Sequence, residues 1–378
     1  MTPARRAGRR IVHLTLAHQP FDVRVYEKEC RTLASAGYDV HLAVPGAPNG
    51  GGRDGVVLHP IRRASAGNAW ARWRERLSNT LQVARRVGAD LYHVHDPELV
   101  PVALALKRSG ARVVYDAHED APLEAWSMGR ARPLRRVALP ATWWTLLQLA
   151  KARLDAFVAA TPRIARKFPR DRTIEVRNYP CTGMFPNRPV VPFAARRDLV
   201  FAGLVSERRG AIEMLDAVAA LGPKTQARLK LYGAIASDKL ATRMREHPGW
   251  GRVDYLGQRP WREVLESYRT SRAGFLLYEK TPEQLWCMPV KLFEFLLSGL
   301  PVIAADIPFW RELLHGNPNV LFVDATDTGR VAGAFEMLLA NPEESAQRAH
   351  AGMLHARARF DWAGEGERLV GLYDRLLD

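Results

Sequence analysis

The sequence predicts an α/β protein made of two Rossmann-like domains in tandem, and three observations carry that prediction. Short, continuously apolar runs alternate with amphipathic helical segments along the chain. That is the pattern of parallel strands buried on both faces by helices. The alternation stops once, at a proline-rich stretch over 179–197, and then restarts. A chain of 378 residues is also too long for one ordinary core and suits two.

Taken in order, strands are expected at 10–17, 38–45, 56–61, 90–96, 112–118, 156–161 and 174–178, with helical patterns such as "RVYEKECRTLASAG" between them. After the break come 198–205, 229–233, 253–257, 274–279, 301–306 and 320–324. The amphipathic segment "FDWAGEGERLVGLYDRLL" closes the chain. The expected organisation is a first domain over 1–180, a linker over 181–197, a second domain over 198–358 and a final helix over 359–378 packing back on the first domain. Ligands of open α/β sheets bind beyond the carboxyl ends of the strands, so two such domains are expected to face each other across a cleft.

Composition narrows the class. Cys30, Cys181 and Cys287 lie too far apart for a disulfide framework or a zinc motif, which points to a reducing compartment. The basic start "MTPARRAGRR" lacks an apolar signal segment, and "VALPATWWTLLQLA" is too short to span a bilayer. Fifty-five basic against 40 acidic residues give a formal charge of +15, a surface that attracts polyanions. A basic proteome is the plain alternative.

The most informative stretch is "MPVKLFEFLLSGLPVIAAD", 288–306. Pro289 suits the first turn of a helix, and Gly299 with Pro301 ends it. Lys291 then sits on the first turn, where the helix dipole disfavours a cation and favours a bound anion. Pro289, Val290, Lys291 and Leu292 would cradle a diphosphate. Glu294, a turn further in, would accept bonds from a ribose diol. An i,i+3 surface ion pair of Lys291 with Glu294 is the alternative. Tyr232, Gly233 and Arg259 follow strands of the second domain and would frame a base. Asn178, before the break, either touches the cleft or forms a turn.

"PVKLFEFLLSGLPVIA" resembles the signature of family 4 of the retaining nucleotide-sugar glycosyltransferases, which have the GT-B fold. "DLVFAGLVSERRGAIEMLDAV", "LKLYG", "VDYLGQRP" and "GFLLYE" follow in that family's order. "DLYHVHDPEL", "VVYDAHED", "AFVAATP" and "VRNYP" resemble its amino-terminal motifs. The resemblance covers nearly the whole chain. It implies an enzyme that transfers a sugar from a nucleotide-diphosphate donor, UDP-sugar foremost, with retention and without metal or other cofactor. It places Arg209, with Arg208 beside it, at the donor phosphates and His118 at the transferred sugar. His95 and Asp96 line the same cleft or support it, next to Glu119.

The chain departs from the pattern in three places. Leu204 stands where a second basic residue is common. Trp286 replaces the first of two glutamates, leaving Glu279 or Glu283 as substitutes. The first loop reads "AHQPFDVRVYEKE" where many relatives have a Gly-Gly pair, which puts Asp22 and Arg24 in line for donor phosphate or an acidic acceptor.

Two segments set tryptophans among arginines: 68–86, with Trp70, Trp73, Leu77 and Leu81 on one stripe, and 128–153, with Trp143 and Trp144. Such stripes suit an anionic membrane surface, and a cytoplasmic, peripheral enzyme with a lipid-phosphate-linked acceptor is expected. Core-facing helices with solvated arginines are the alternative. A 2-epimerase-like enzyme on the same fold is the second reading. A nucleic-acid-binding protein is a remote third, since no recognition motif accompanies the charge.

Overall fold

The structure, a computed structural model, describes residues 3–48, 50–65, 67–120, 122–123, 133–186, 191–223 and 225–378, without the side chains of 3–4 and 133–139. The chain divides into two units: Met1–Asn178 with Trp362–Asp378, and Tyr179–Asp361.

The first unit carries a seven-stranded sheet: β1 (Arg10–Leu14), β2 (Asp39–Pro45), β3 (Val56–Ile61), β4 (Leu91–Val94), β5 (Arg112–Ala117), β6 (Ala156–Ala159) and β7 (Thr173–Glu175). Their order is β3-β2-β1-β4-β5-β6-β7, all parallel. The second unit repeats the plan with β8 (Leu199–Ala202), β9 (Leu229–Tyr232), β10 (Val253–Gly257), β11 (Ala273–Leu276), β12 (Val302–Ala305) and β13 (Val320–Val323). Here the order is β10-β9-β8-β11-β12-β13. Both sheets are Rossmann-like, with order reversing between β1 and β4 and between β8 and β11.

Every expected strand overlaps an observed one, with β7 and β11 each starting one residue earlier than expected. Several observed strands stop short at the carboxyl end, where Thr15–Leu16, His95–Asp96, His118, Gly203–Val205 and Leu277–Glu279 leave the strand. Those residues are the ones that build the sites described below. Burial follows the apolar runs: β4, β6, β8, β11 and β12 are buried at every position.

Two elements differ from expectation. The segment after β1 enters its helix through a π-helical turn, Val25–Cys30, before the α-helix Arg31–Ser35. Asp22 accepts the N–H groups of Arg24 and Val25 at 2.8 and 2.9 Å, which starts that turn. The stretch expected as a linker folds onto the second unit: Tyr179 and Phe185 enter its core. Arg272 Nε donates to the Arg196 carbonyl at 2.9 Å, and both guanidiniums lie over Phe193. Residues 187–190 of that stretch lie outside the described residues. The final helix, Trp362–Leu377, belongs to the first unit. Trp362 donates to Thr32 at 2.8 Å, Glu365 accepts the Arg177 N–H at 2.8 Å, and Asp374 pairs with Arg6 at 2.7 Å.

The tryptophan stripes divide along their length. In the helix Ala69–Val87, Leu77 and Leu81 pack on the core, while Trp70 is 63% exposed and stacks on Trp73 at 4.9 Å. In the helix Pro133–Arg153, Leu147 is buried and Trp144 is exposed. Positions 128–132 of the second stripe lie outside the described residues. No helix among the described residues is long and apolar enough to cross a membrane.

Candidate active site

Each unit holds a polar cluster at its strand-order reversal. In the second unit β8 ends at Gly203 (φ +126°) and β9 at Gly233 (φ +119°). A Cβ on Gly233 would fall 1.9 Å from the Gly203 carbonyl oxygen, so only glycine lets these turns pass. A Cβ on Gly203 would fall 2.3 Å from Lys291 Cε, 2.5 Å from its Nζ and 3.6 Å from Arg209 Nη1. The glycine is thus the floor on which two cations meet. Arg209 ends a 3₁₀ turn, Glu207–Arg209, and Lys291 lies on the first turn of the helix Val290–Leu297. Burial, then Arg209, pushes Lys291 down to about 8.

Pro289 caps that helix, and Gly299 (φ +64°) follows its end. Glu294 is half-buried, and its Oε1 accepts the Trp261 indole N–H at 3.1 Å. It also bonds Tyr268, whose hydroxyl is pushed far up by burial first and Glu294 second. Leu292 corrects its expectation: its side chain is fully buried in the core, and its N–H is bonded to the Pro289 carbonyl at 3.0 Å. Val290 is half-buried. Tyr232 is buried beside Gly233 and its carbonyl accepts the Gly203 N–H, while Arg259 is exposed and donates to the Leu256 carbonyl at 3.0 Å. Arg208 is half-buried, and its carbonyl accepts the N–H of exposed Glu279 at 3.0 Å. Glu283 has both carboxylate oxygens buried. Leu204 and Trp286 are exposed.

In the first unit β1, β4, β5, the π-helical turn and the final helix bring His13, Glu29, His93, His95, Asp96, Asp116, His118 and Tyr373 together. Asp116 is the hub. Burial would raise its carboxyl, but Arg24 and then His118 hold it well below the carboxylate range. Arg24 corrects its expectation. It is 5% exposed, with Nη2 at 3.2 Å from both Asp116 oxygens and Nε at 3.0 Å from Glu29. The π-helical turn rotates it inward, so it is an internal counter-ion instead of a ligand-facing group. Glu29 is raised well above the carboxylate range by burial and then by Asp116.

One tautomer assignment satisfies the histidine network. His118 Nε2–H faces Asp116 at 3.0 Å and His95 Nδ1 at 3.1 Å. His95 Nε2–H then donates to His13 Nδ1 at 2.9 Å. His13 Nε2–H faces the Tyr373 hydroxyl at 3.4 Å, and that hydroxyl donates to His93 Nδ1. His118 therefore turns its Nδ1 lone pair away from the network. Burial lowers His95 to about 4 and His13 and His93 well below their usual value, so these three imidazoles are neutral.

His95 and Asp96 were expected to line or support the site, and both are buried. Asp96 Oδ2 accepts the Thr15 hydroxyl at 2.9 Å and the N–H groups of Leu16 and Ala17. Against burial, the bond to His18 followed by the Leu16 N–H brings Asp96 to about 2. Glu119 is exposed, and Asp22 is occupied by backbone N–H groups. Asn178 Oδ1 accepts Lys28 Nζ at 2.7 Å.

His13, Glu29, His93 and His95 place ligand atoms within 4.8 Å of one another, as do Glu29, His95, Asp116 and His118. Yet the three Nδ1 lone pairs are already engaged in the network, His95 by His118, His13 by His95 and His93 by Tyr373. Arg24 also sets a fixed positive charge beside Glu29. The first group suits a hydrogen-bonded network better than a cation.

Sequence reading assigned no role to His13, His18, Glu29, His93, Asp116, Tyr373 or Trp261. His18 left a signal in the loop already marked as departing from the Gly-Gly pattern, and His93 and Asp116 stand inside the motifs "DLYHVHDPEL" and "VVYDAHED".

The two Rossmann-like units with their clusters at the order reversals have the architecture of a GT-B enzyme. Residues 23–176 match the family model Glycosyltransferase Family 4, and residues 208–371 match the model Glycosyl transferase-like. The chain belongs to the GT-B glycosyltransferases. Its fold is similar to sucrose-phosphate synthase of Thermosynechococcus elongatus, at 15% identity and TM-score 0.78 over 97% of this chain and 99% of that one. HepE of Anabaena, in complex with UDP-glucose, matches at 15% identity and TM-score 0.73 over 97% and 99%. An α,α-trehalose 6-phosphate synthase of Burkholderia multivorans matches at 15% identity and TM-score 0.69 over 97% and 98%. No curated protein matches in sequence.

Proposed function

We propose that this glycosyltransferase moves a sugar from a nucleoside-diphosphate sugar, a UDP-sugar foremost, to an acceptor carried on a lipid phosphate or an envelope glycan, with retention and without a metal. The observation that carries the donor half is the meeting of Lys291 and Arg209 over Gly203. Two cations packed together at a helix start await an anion. UDP ligands in HepE of similar fold support the choice of nucleotide.

In this reading Lys291 and Arg209 neutralise the departing diphosphate, the work a metal does elsewhere. Arg208 assists them. Glu294 accepts the ribose hydroxyls in addition to its bonds from Trp261 and Tyr268. His118 Nδ1 accepts a hydrogen bond from a sugar hydroxyl and orients it. The acceptor attacks on the face from which the phosphate leaves, and a phosphate oxygen takes its proton.

The first unit holds the acceptor, and exposed Trp70 and Trp144 with neighbouring arginines rest on the anionic inner face of the cell membrane. The test is a thermal-shift panel of UDP-, GDP-, ADP-, TDP- and CMP-sugars on the wild type and Glu294→Ala. A shift with one nucleotide class, lost in the variant, is expected. No shift with any of them overturns the donor assignment. Flotation with anionic vesicles at low salt tests the membrane half.

A further inference from the structure

The loop after β1 spends its backbone donors inward. Leu16 N–H and Ala17 N–H both point at Asp96, so neither is available to a ligand. What the loop turns outward is His18. Its Nδ1 lies 2.8 Å from Thr15 Oγ1 and 3.6 Å from Asp96 Oδ1. Thr15 has one hydroxyl proton and gives it to Asp96 at 2.9 Å, so His18 Nδ1 must carry the proton of the bond to Thr15. Its Nε2 has no hydrogen-bond partner among the described residues, and the side chain is 22% exposed. The ring stands 5.0 Å from that of His118. Two carboxylate–histidine pairs therefore sit side by side, Asp96 with His18 and Asp116 with His118.

The pairs differ in what the carboxylate already holds. Asp116 is engaged by Arg24, whereas Asp96 has only neutral donors besides His18. His18 is faced by Asp96 from the end of β4, Asp22 from its own loop and Asp116 from β5, with the rings of His95 and His118 as its other titratable neighbours. Burial lowers its affinity for a proton, and Asp96 followed by Asp22 more than restores it.

We propose that His18, held by Thr15 and Asp96, is a phosphate-binding residue of the first unit that donates Nε2–H to a phosphate oxygen beside His118. It rests on the reading of this chain as a sugar-nucleotide enzyme with His118 at the reacting sugar. The phosphate has two possible sources, the acceptor's lipid phosphate and the donor's diphosphate. Neutral His18 would present a lone pair at Nε2 and repel the anion, so binding depends on the imidazolium.

The experiment is ring-nitrogen NMR of the full chain labelled with ¹⁵N-histidine, with His18 assigned by His18→Asn. Dodecyl phosphate is titrated in one arm and UDP in the other. The expected result is movement of the His18 resonances in at least one arm, with affinity falling by up to about tenfold per pH unit above the His18 titration. Movement with dodecyl phosphate names the acceptor as source, and movement with UDP names the donor. His18→Asn should weaken that ligand and abolish the pH dependence, while His118 keeps its Nε2–H tautomer. Unmoved His18 in both arms overturns the proposal. The donor assignment fails separately, through loss of any nucleotide-induced thermal shift in the wild type.

Discussion

Lys291 and Arg209 converge on Gly203, with Nζ and Nη1 lying 2.5 and 3.6 Å from the point where a Cβ there would fall. Such a pair costs the free protein stability and favours an anion. Lys291→Met is therefore expected to keep or raise the Tm of the unliganded protein. It should weaken UDP by about tenfold or more, the worth of a charge-assisted hydrogen bond. Calorimetric titration beside a thermal melt reads both. A variant that melts lower and binds UDP normally contradicts the assignment.

The same lysine sets a pH window. A lysine lowered from 10.5 to about 8 loses its proton first in the folded state. Its cost to stability is full below about pH 8 and fades as pH rises toward 10.5. UDP takes the charged form, so affinity should fall as pH climbs above about 8. The profile should flatten in Lys291→Met. A decline that persists in the variant would assign it to another group.

Gly203→Ala meets two obstacles. Its φ of +126° strains any L side chain, and the new methyl group overlaps Lys291. The strain should cost about 1–3 kcal/mol in a urea melt. Displacement of Lys291 should also abolish the UDP-induced thermal shift. Retained UDP response at reduced stability would show that Lys291 re-seats without cost to binding.

The buried ions of the first unit should respond unequally. Arg24→Met leaves the Asp116 carboxylate buried without its counter-ion, an expected loss of about 3–5 kcal/mol. Asp116 is held below 3.8, so its contribution is present above that pH and fades only as pH falls through the folded value. Glu29 is raised well above 4.5, so its contribution is full below that pH and is lost as pH rises through the folded value. Glu29→Gln should thus be mild at neutral pH and relatively more stable with increasing pH. Equal losses in Arg24→Met and Glu29→Gln would refute this division.

Legibility followed locality. Strand runs and the Lys291 helix are written in consecutive residues, and a proline, a charge and a terminal glycine place them without tertiary knowledge. The histidine network is not local: Tyr373 joins His13 to His93, from 280 positions beyond His93. Arg24 read as a candidate for donor phosphate or an acidic acceptor because nothing in "PFDVRV" announces a π-helical turn. Glu294 was readable as an acceptor, but Trp261, its indole partner, comes from another helix. His18 stood in a loop recognised as unusual, yet its partners Thr15 and Asp96 follow adjacent strands that only the β1–β4 pairing brings together.

The helix Trp362–Leu377 has a consequence for the order of biosynthesis. The second unit is one uninterrupted segment, Tyr179–Asp361, and can close as soon as it has left the ribosome. The first unit, although translated earlier, must wait for Trp362, Glu365 and Tyr373 before Thr32, the Arg177 amide and the histidine ring find their partners. The nascent amino-terminal half is left with an uncovered face for the time it takes to make the other domain. A chaperone that binds apolar surface should hold it through that interval and release it once the final helix emerges.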